Sequence, residues 1–167
     1  NSKAAVFGQL DFVYDKFDFY TALELLGNSF YREGVNQNGK FPENSQGKSD
    51  VASFLNYSLK GGLTYKLSGR QFLTANALVK TQAPWSRNSF ISPRTRDFLI
   101  EDLQNEFVYS GDVNYIVKYP KLRLRATYYY TERKNAVWSR SFYHDEYNSF
   151  VNYVMKGVNY LDQGIEF

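Results

Sequence analysis

Apolar and polar residues alternate along most of the chain, most clearly from Leu55 to Leu67. The odd positions of this segment are Leu, Tyr or Gly, and the even positions between them are mostly Asn, Ser, Lys and Thr. Such a period of two predicts a β-strand with one face in an apolar medium and one face in water. A turn at residues 68–70 leads into a return strand whose apolar row is Leu73, Ala75, Ala77 and Val79.

The length of this hairpin suggests its setting. Ordinary strands have about 5–6 residues, whereas membrane-spanning strands need about 9–11 and alternate apolar outside with polar inside. The hairpin therefore predicts a transmembrane β-barrel, or a part of one.

The same pattern predicts the rest of the fold. The chain is expected to be all-β, an antiparallel up-and-down meander of about seven long strands, forming one barrel segment over residues 1–167. Six complete strands are predicted near residues 4–14, 17–31, 53–67, 71–82, 105–118 and 122–135. A seventh strand is predicted to begin at residue 161, and long loops are predicted at residues 34–50, 83–104 and 136–160.

The predicted connections alternate between short and long. Outer-membrane barrels have short turns on the periplasmic side and long loops outside, and two girdles of aromatic residues border an apolar band about 25 Å tall. Tyr14, Phe17, Tyr65 and Tyr119 lie beside predicted short turns. Tyr57, Tyr109 and Tyr128 lie about eight to ten residues further along the same rows. A tilted strand of that length spans roughly the 25 Å height of the apolar band.

Composition narrows the chemistry. The chain has no Cys and a single His, which excludes a disulfide framework, thiol chemistry and a multi-His metal site. The net charge of +3, with 22% charged residues, gives no reason to expect a nucleic-acid partner. We predict no metal and no cofactor. Ser139, Ser141, His144 and Asp145 include the residue types of a hydrolase triad, but they lie together in one segment without a nucleophile-elbow context, and we predict no enzymatic activity.

Two groups of residues are candidates for contact with solutes. The first is predicted to face the barrel lumen and comprises Asn56, Ser58, Lys60, Thr64, Asp112, Asn114, Arg123 and Arg125. The second is predicted to bind a ligand at the long-loop end and comprises Trp85, Arg87, Arg94, Arg96, Trp138 and Arg140. Aromatic platforms with Arg forks suit glycans or peptides, and we expect Trp85, Arg94, Arg96 and Trp138 to come together. A hydrated wall and loops packing on themselves are the alternatives.

Three motifs in order resemble the barrel of TonB-dependent receptors, particularly those of Bacteroidetes. Residues 81–84 (TQAP) are similar to a strand-ending Arg-Ala-Pro pattern, and residues 103–106 (LQNE) followed by 110–112 (SGD) resemble a Leu-x-x-Glu element before a strand. Residues 150–153 (FVNY) and 164–167 (GIEF) resemble the run into a following strand. Gln82 and Asp112 stand where the family more often has Arg and Glu.

The resemblance implies an internal segment of a larger receptor in the bacterial outer membrane. Transporters of this type have 22 strands and a plugged lumen, and neither a plug domain nor a TonB-box-like segment is visible here. The implied function is import of a nutrient ligand: an oligosaccharide, a peptide or a metal chelate. The implied partners are outer-membrane lipid, the small nutrient ligand, the energy-coupling TonB protein acting through regions outside this chain, and a surface lipoprotein.

Two other functions stay open from the sequence. The chain could be a complete eight-stranded outer-membrane barrel with a structural or adhesive role, which needs an eighth strand. It could also be a soluble lipocalin-like ligand-binding barrel, which should place its apolar row inward and its polar row outward.

Overall fold

A computed structural model describes all residues from Asn1 to Phe167, and the chain is all-β with a single 3-10 turn at Ser86–Ser89. The strands are β1 (Ser2–Val13), β2 (Phe17–Phe30), β3 (Glu33–Gly34), β4 (Gly47–Lys48), β5 (Ala52–Ser68), β6 (Gln71–Gln82), β7 (Glu106–Tyr119), β8 (Leu122–His144) and β9 (Ser149–Glu166).

Seven long strands form one antiparallel sheet in the order β1-β2-β5-β6-β7-β8-β9, and β3 and β4 pair separately within the β2–β5 connection. The predicted up-and-down meander is therefore confirmed. The sheet is open, since β1 and β9 lie at its two edges and do not pair with each other.

The predicted long loop at residues 136–160 is wrong. β8 runs on to His144, and β9 begins at Ser149 after a short turn, not at residue 161. Two register shifts, on either side of Ala136, explain the error. Asn135 (φ 59°) and Gly157 (φ 72°) have left-handed backbone conformations in this region. One shift adds a residue to β8 and the other adds a residue to β9, so in each strand the side chains that follow change faces and the two-residue period is interrupted.

The register places the apolar rows of neighbouring strands on the same face of the sheet. Leu23 pairs with Leu59, Leu59 pairs with Val79, and Val79 pairs with Tyr109. This apolar face is the more exposed one, and Leu59 itself is 52% exposed. The strands contact mainly their neighbours in the sheet, and β8 also contacts the 3-10 turn, so no second layer covers the apolar face.

The opposite, polar face is more crowded. Its residues are mostly half-buried, and the deepest of them, Asn114, is 1% exposed. Side chains converge on the concave side of a curved sheet and diverge on the convex side. The burial pattern is therefore that of a sheet curved toward its polar face.

The short turns are staggered along the sheet. Phe17 at the start of β2 pairs with Tyr65, and β5 continues to Ser68. Gln71 at the start of β6 pairs with Val117, and β7 continues to Tyr119. Each turn thus projects two or three residues beyond the previous one, as in the tilted, staggered strands of a barrel wall.

Tyr20 fills the space above a glycine on the polar face. It pairs with Gly62 across β2 and β5, and its hydroxyl donates to Asn76 Oδ1 (3.1 Å). A Cβ at Gly62 would collide with the Tyr20 ring and with Asn76 Oδ1. The Tyr129 ring covers Gly164 in the same way.

We predict that Gly62→Ala destabilises the sheet by about 1–3 kcal/mol, because the new methyl group displaces Tyr20 and breaks its hydrogen bond. Gly61→Ala is the matched control, since a Cβ there meets only the Tyr20 carbonyl oxygen at 3.5 Å. Denaturant unfolding of both variants in detergent would measure the difference. Equal stability of the two variants would contradict this packing.

Candidate functional site

A network of side-chain hydrogen bonds crosses the middle of the polar face. Its members, which we call the polar network, are Tyr20, Thr74, Asn76, Asp112, Asn114, Arg125 and Thr127. Asn76 Nδ2 donates to both oxygens of Asp112 (3.1 and 2.7 Å), and Tyr20 donates to Asn76. The network thereby joins β2 to β6 and β7 across the intervening β5.

Asn114 is the centre of this network. Its Oδ1 accepts from Arg125 Nε (2.9 Å) and Nη2 (2.6 Å) and from Thr127 Oγ1 (2.7 Å). Its Nδ2 donates to Thr74 Oγ1 (3.0 Å) and to Asp112 Oδ1 (3.3 Å). One amide thus connects three strands, and it lies between the Asp112 carboxylate and the Arg125 guanidinium.

The predicted lumen-facing residues share one face of the sheet. The register aligns Ser58 with Lys80, Thr64 with Thr74, and Asn114 with both Thr74 and Thr127. Asp112, Asn114 and Arg125 belong to the polar network, and the Lys60 ammonium lies 5.7 Å from the Tyr20 ring centre. Arg123 is exposed beside the short turn, and Asn56 is buried at the opposite end. Whether this face lines a lumen stays a prediction.

The two long connections, between β2 and β5 and between β6 and β7, pack against each other at the end of the sheet opposite the short turns after β1, β5 and β7. Arg32 connects both long connections, because it donates to Ser45 O in its own (2.9 Å) and to Pro93 O in the second (2.8 Å). Phe30 and Ala52 from the sheet form a buried apolar cluster with Phe90 from the second connection. The two long connections and the sheet therefore form one packed unit.

The extended β8–β9 hairpin is hydrogen-bonded to the β6–β7 connection. Asn88 donates to Val137 O (3.1 Å), Asn152 donates to Ile91 O (2.9 Å), and Lys156 donates to Glu101 O (2.9 Å). These bonds place the hairpin beside the β6–β7 connection.

Trp85 and Arg87 line an open cleft of about 500 Å³ between the β6–β7 connection and the polar face of β1 and β2. Lys3 and Asn28 line its other wall, with Leu26 and Phe30 between them. The cleft combines two cationic side chains, three side-chain amides and apolar surface, which suits a ligand with an anionic or hydroxylated part and a flat apolar part.

Trp138 and Arg140 form a second group on the hairpin. The Arg140 guanidinium lies 4.2 Å from the centre of the Trp138 ring. The Trp138 and Tyr160 rings pack edge to face, with their centres 6.0 Å apart. The Arg140 head group is thus held over an aromatic face while the residue itself is exposed.

Arg96 and Arg94 differ from the other candidates. The Arg96 guanidinium lies 4.9 Å from the Phe41 ring and 5.6 Å from the Phe98 ring, so it joins the two long connections. Arg94 is exposed. The six predicted ligand residues all lie at the long-connection end, and the structure distributes them over a cleft, a hairpin and a loop contact.

Sequence reasoning missed the exposed aromatic rings of the hairpin tip, because it treated the tip as loop. These rings are Phe142, Tyr143, Tyr147, Phe150 and Tyr153, all exposed. The density of aromatic residues between 138 and 153 was the available signal.

No protein-family description, curated protein or solved structure matches the chain. The fold has no helix of the length and apolar character needed to cross a membrane. No three or more His, Cys, Asp or Glu side chains cluster where they could jointly hold a metal ion.

We predict that Asn114→Ala destabilises the sheet by about 1–3 kcal/mol, because it removes the buried amide whose hydrogen bonds join Thr74, Asp112, Arg125 and Thr127. Asn36→Ala is the control, since Asn36 is exposed in the β3–β4 connection. Guanidinium unfolding of the protein in detergent would measure both changes. A cost for Asn114→Ala no larger than for Asn36→Ala would contradict the role of Asn114 as the network centre.

Proposed function

We propose that this chain is a wall segment of a transmembrane β-barrel in the bacterial outer membrane, belonging to a TonB-dependent receptor that imports a nutrient ligand. The polar face lines the lumen, the apolar face meets lipid, and the long-connection end receives the ligand. Outer-membrane lipid, the ligand and the TonB protein are the proposed partners, and a surface lipoprotein is a further one.

The observation that carries this proposal is the inverted distribution of polarity. A soluble sheet buries its apolar face and exposes its polar face. Here Leu23, Leu59 and Val113 are exposed on the apolar face, while the polar face carries the half-buried hydrogen-bond network. Lipid would cover the exposed apolar side chains, and water would hydrate the polar face.

Two further features support the proposal. The short turns after β1, β5 and β7 lie at one end with the stagger of a tilted barrel wall, and the long connections and the tip of the extended β8–β9 hairpin lie at the other end. The resemblance of three sequence motifs to TonB-dependent receptors supplies the receptor class. The soluble lipocalin-like alternative is disfavoured because its apolar row should face inward.

We predict that Leu59→Arg impairs insertion into the membrane, whereas Ser58→Arg is tolerated. A cation on the lipid face near the middle depth costs about 2–4 kcal/mol. At position 58 the new side chain would lie on the polar face between Glu24, a favourable partner, and Lys80, a like charge whose repulsion water on that face screens. Heat-modifiable migration and protease resistance of outer-membrane fractions would measure the folded fraction of each variant.

A membrane-confined photoreactive probe tests the faces directly, because Leu59→Arg would also harm a barrel with an apolar interior. The probe should label the side chain at position 59 and leave the side chain at position 58 unlabelled. Absence of label at both positions in the folded protein would reject the membrane assignment of β5.

The loop candidates give a second test. We predict that Trp85→Ala and Trp138→Ala weaken ligand uptake several-fold without lowering the amount of protein in the membrane, because each ring is a contact surface at the loop end. Arg96→Ala should instead loosen the loops, since Arg96 stacks on Phe41 and Phe98. Uptake assays and limited proteolysis of whole cells would separate the two effects.

Normal uptake by both Trp variants would remove these rings from the ligand site. A lower amount of both Trp variants in the membrane would mean that the two rings act in folding.

A further inference from the structure

Three polar side chains lie side by side on the polar face where the long connections cover the sheet. Asn56 on β5, Gln82 on β6 and Glu106 on β7 form what we call the amide–carboxylate row. Gln82 pairs directly with Glu106. Ser58 with Lys80 is the last β5–β6 pair at this end, and Asn56 and Gln82 each lie two residues beyond it on the same face, so continuing this register places Asn56 opposite Gln82.

Glu106 is a buried carboxylate without an opposite charge. It is 3% exposed, it accepts one hydrogen bond, from Gln82 Nε2 (2.9 Å), and it forms no ion pair. A carboxylate can accept about four hydrogen bonds, and a buried charge that lacks a partner is costly. The acceptor capacity and the charge of Glu106 therefore both call for a further partner.

Asn56 supplies the second, independent observation. It is 2% exposed, and neither its Oδ1 nor its Nδ2 has a hydrogen-bond partner. Buried amides are nearly always paired. The Asn105 Oδ1 is also buried and unpartnered, in the residue just before Glu106.

The sheet opens at this level. Two backbone groups of β5 that would otherwise bond to β6 are taken by side chains: Thr81 Oγ1 accepts from Tyr57 N (3.0 Å), and Asn105 Nδ2 donates to Leu55 O (2.8 Å). The regular β5–β6 pairing begins only at Ser58 and Lys80. Side-chain hydrogen bonds thus replace the β5–β6 backbone hydrogen bonds at this level. The bond from Asn105 Nδ2 to Leu55 O holds the Asn105 amide beside β5.

We propose that the amide–carboxylate row, completed by Asn105, is a binding site for a small hard cation. The oxygens available are one carboxylate oxygen of Glu106, the Oε1 of Gln82, which has no hydrogen bond, and the two unpartnered amide oxygens of Asn56 and Asn105. Hard cations take such oxygen ligands, and carboxylate and amide oxygens are typical of them. The cation neutralises Glu106 and ties together β5, β6, β7 and the end of the β6–β7 connection.

The site does not depend on transport, and it predicts a cation-specific stability. The purified protein in detergent is stripped with a chelator, and its melting temperature is compared in tetramethylammonium, sodium, potassium, magnesium and calcium chlorides at constant ionic strength. At least one small cation should raise Tm by about 2–5 °C over tetramethylammonium, whose methyl groups prevent direct coordination by the site's oxygens.

Glu106→Gln should abolish this difference, because it keeps the shape of the side chain and removes the charge. Glu101→Gln is the matched control: Glu101 is an exposed residue of the same connection, and its variant should keep the full cation effect. Equal Tm values of the unmodified protein in all five salts, or an undiminished effect in Glu106→Gln, would overturn the proposal.

Asn56→Asp provides a test that does not rely on the folding of Glu106→Gln. A second carboxylate in the row should lower the half-saturating concentration of calcium or magnesium at least several-fold relative to that of sodium or potassium. An unchanged preference between divalent and monovalent cations in the folded variant would place the cation elsewhere and overturn the site.

Discussion

The two-residue period of side chains in paired strands is the constraint on which the structure depends. Leu23, Leu59, Val79 and Tyr109 follow one another across four strands. A slip of one residue in any pairing would move a whole apolar row to the polar face. The ladder satisfies most of the backbone of each inner strand, and side chains replace it at Leu55 and Tyr57. The apolar and polar faces then favour two different media. Within a membrane both sheet edges, β1 and β9, would need strand partners as well.

Alternation was sufficient to predict the long strands β1, β2, β5, β6 and β7, because the pairing of their central parts has no register shift. It did not predict the two-residue strands β3 and β4, which lie in a predicted loop. It failed at residues 136–160, where two shifts break the period while the strands continue. A period of two detects only regular strands. The backbone conformations of Asn135 and Gly157 belong to the irregularities that this search cannot recognise.

The face of each predicted lumen residue followed from the sequence, but its partners did not. Asn114 bonds to Thr74 and Arg125, and the first of these lies forty residues away in the chain. Such a pairing depends on the relative register of strands separated by a long connection. The grouping of the loop residues was equally out of reach, since Arg96 stacks on Phe41 from the other long connection.

The polar face changes character along the strands, and this change separates its two neighbouring acids on β7. Asp112 lies mid-sheet, is half-buried, and accepts hydrogen bonds from the amides of Asn76 and Asn114. Glu106 lies six residues earlier, beneath the loops, with one amide donor. A carboxylate near water can keep its charge with neutral donors, whereas a buried one gains more from an opposite charge or a cation. The loops that cover this end of the sheet therefore create the need for a cation at Glu106, and the same covering provides the amide oxygens of Asn56 and Asn105 that can hold it.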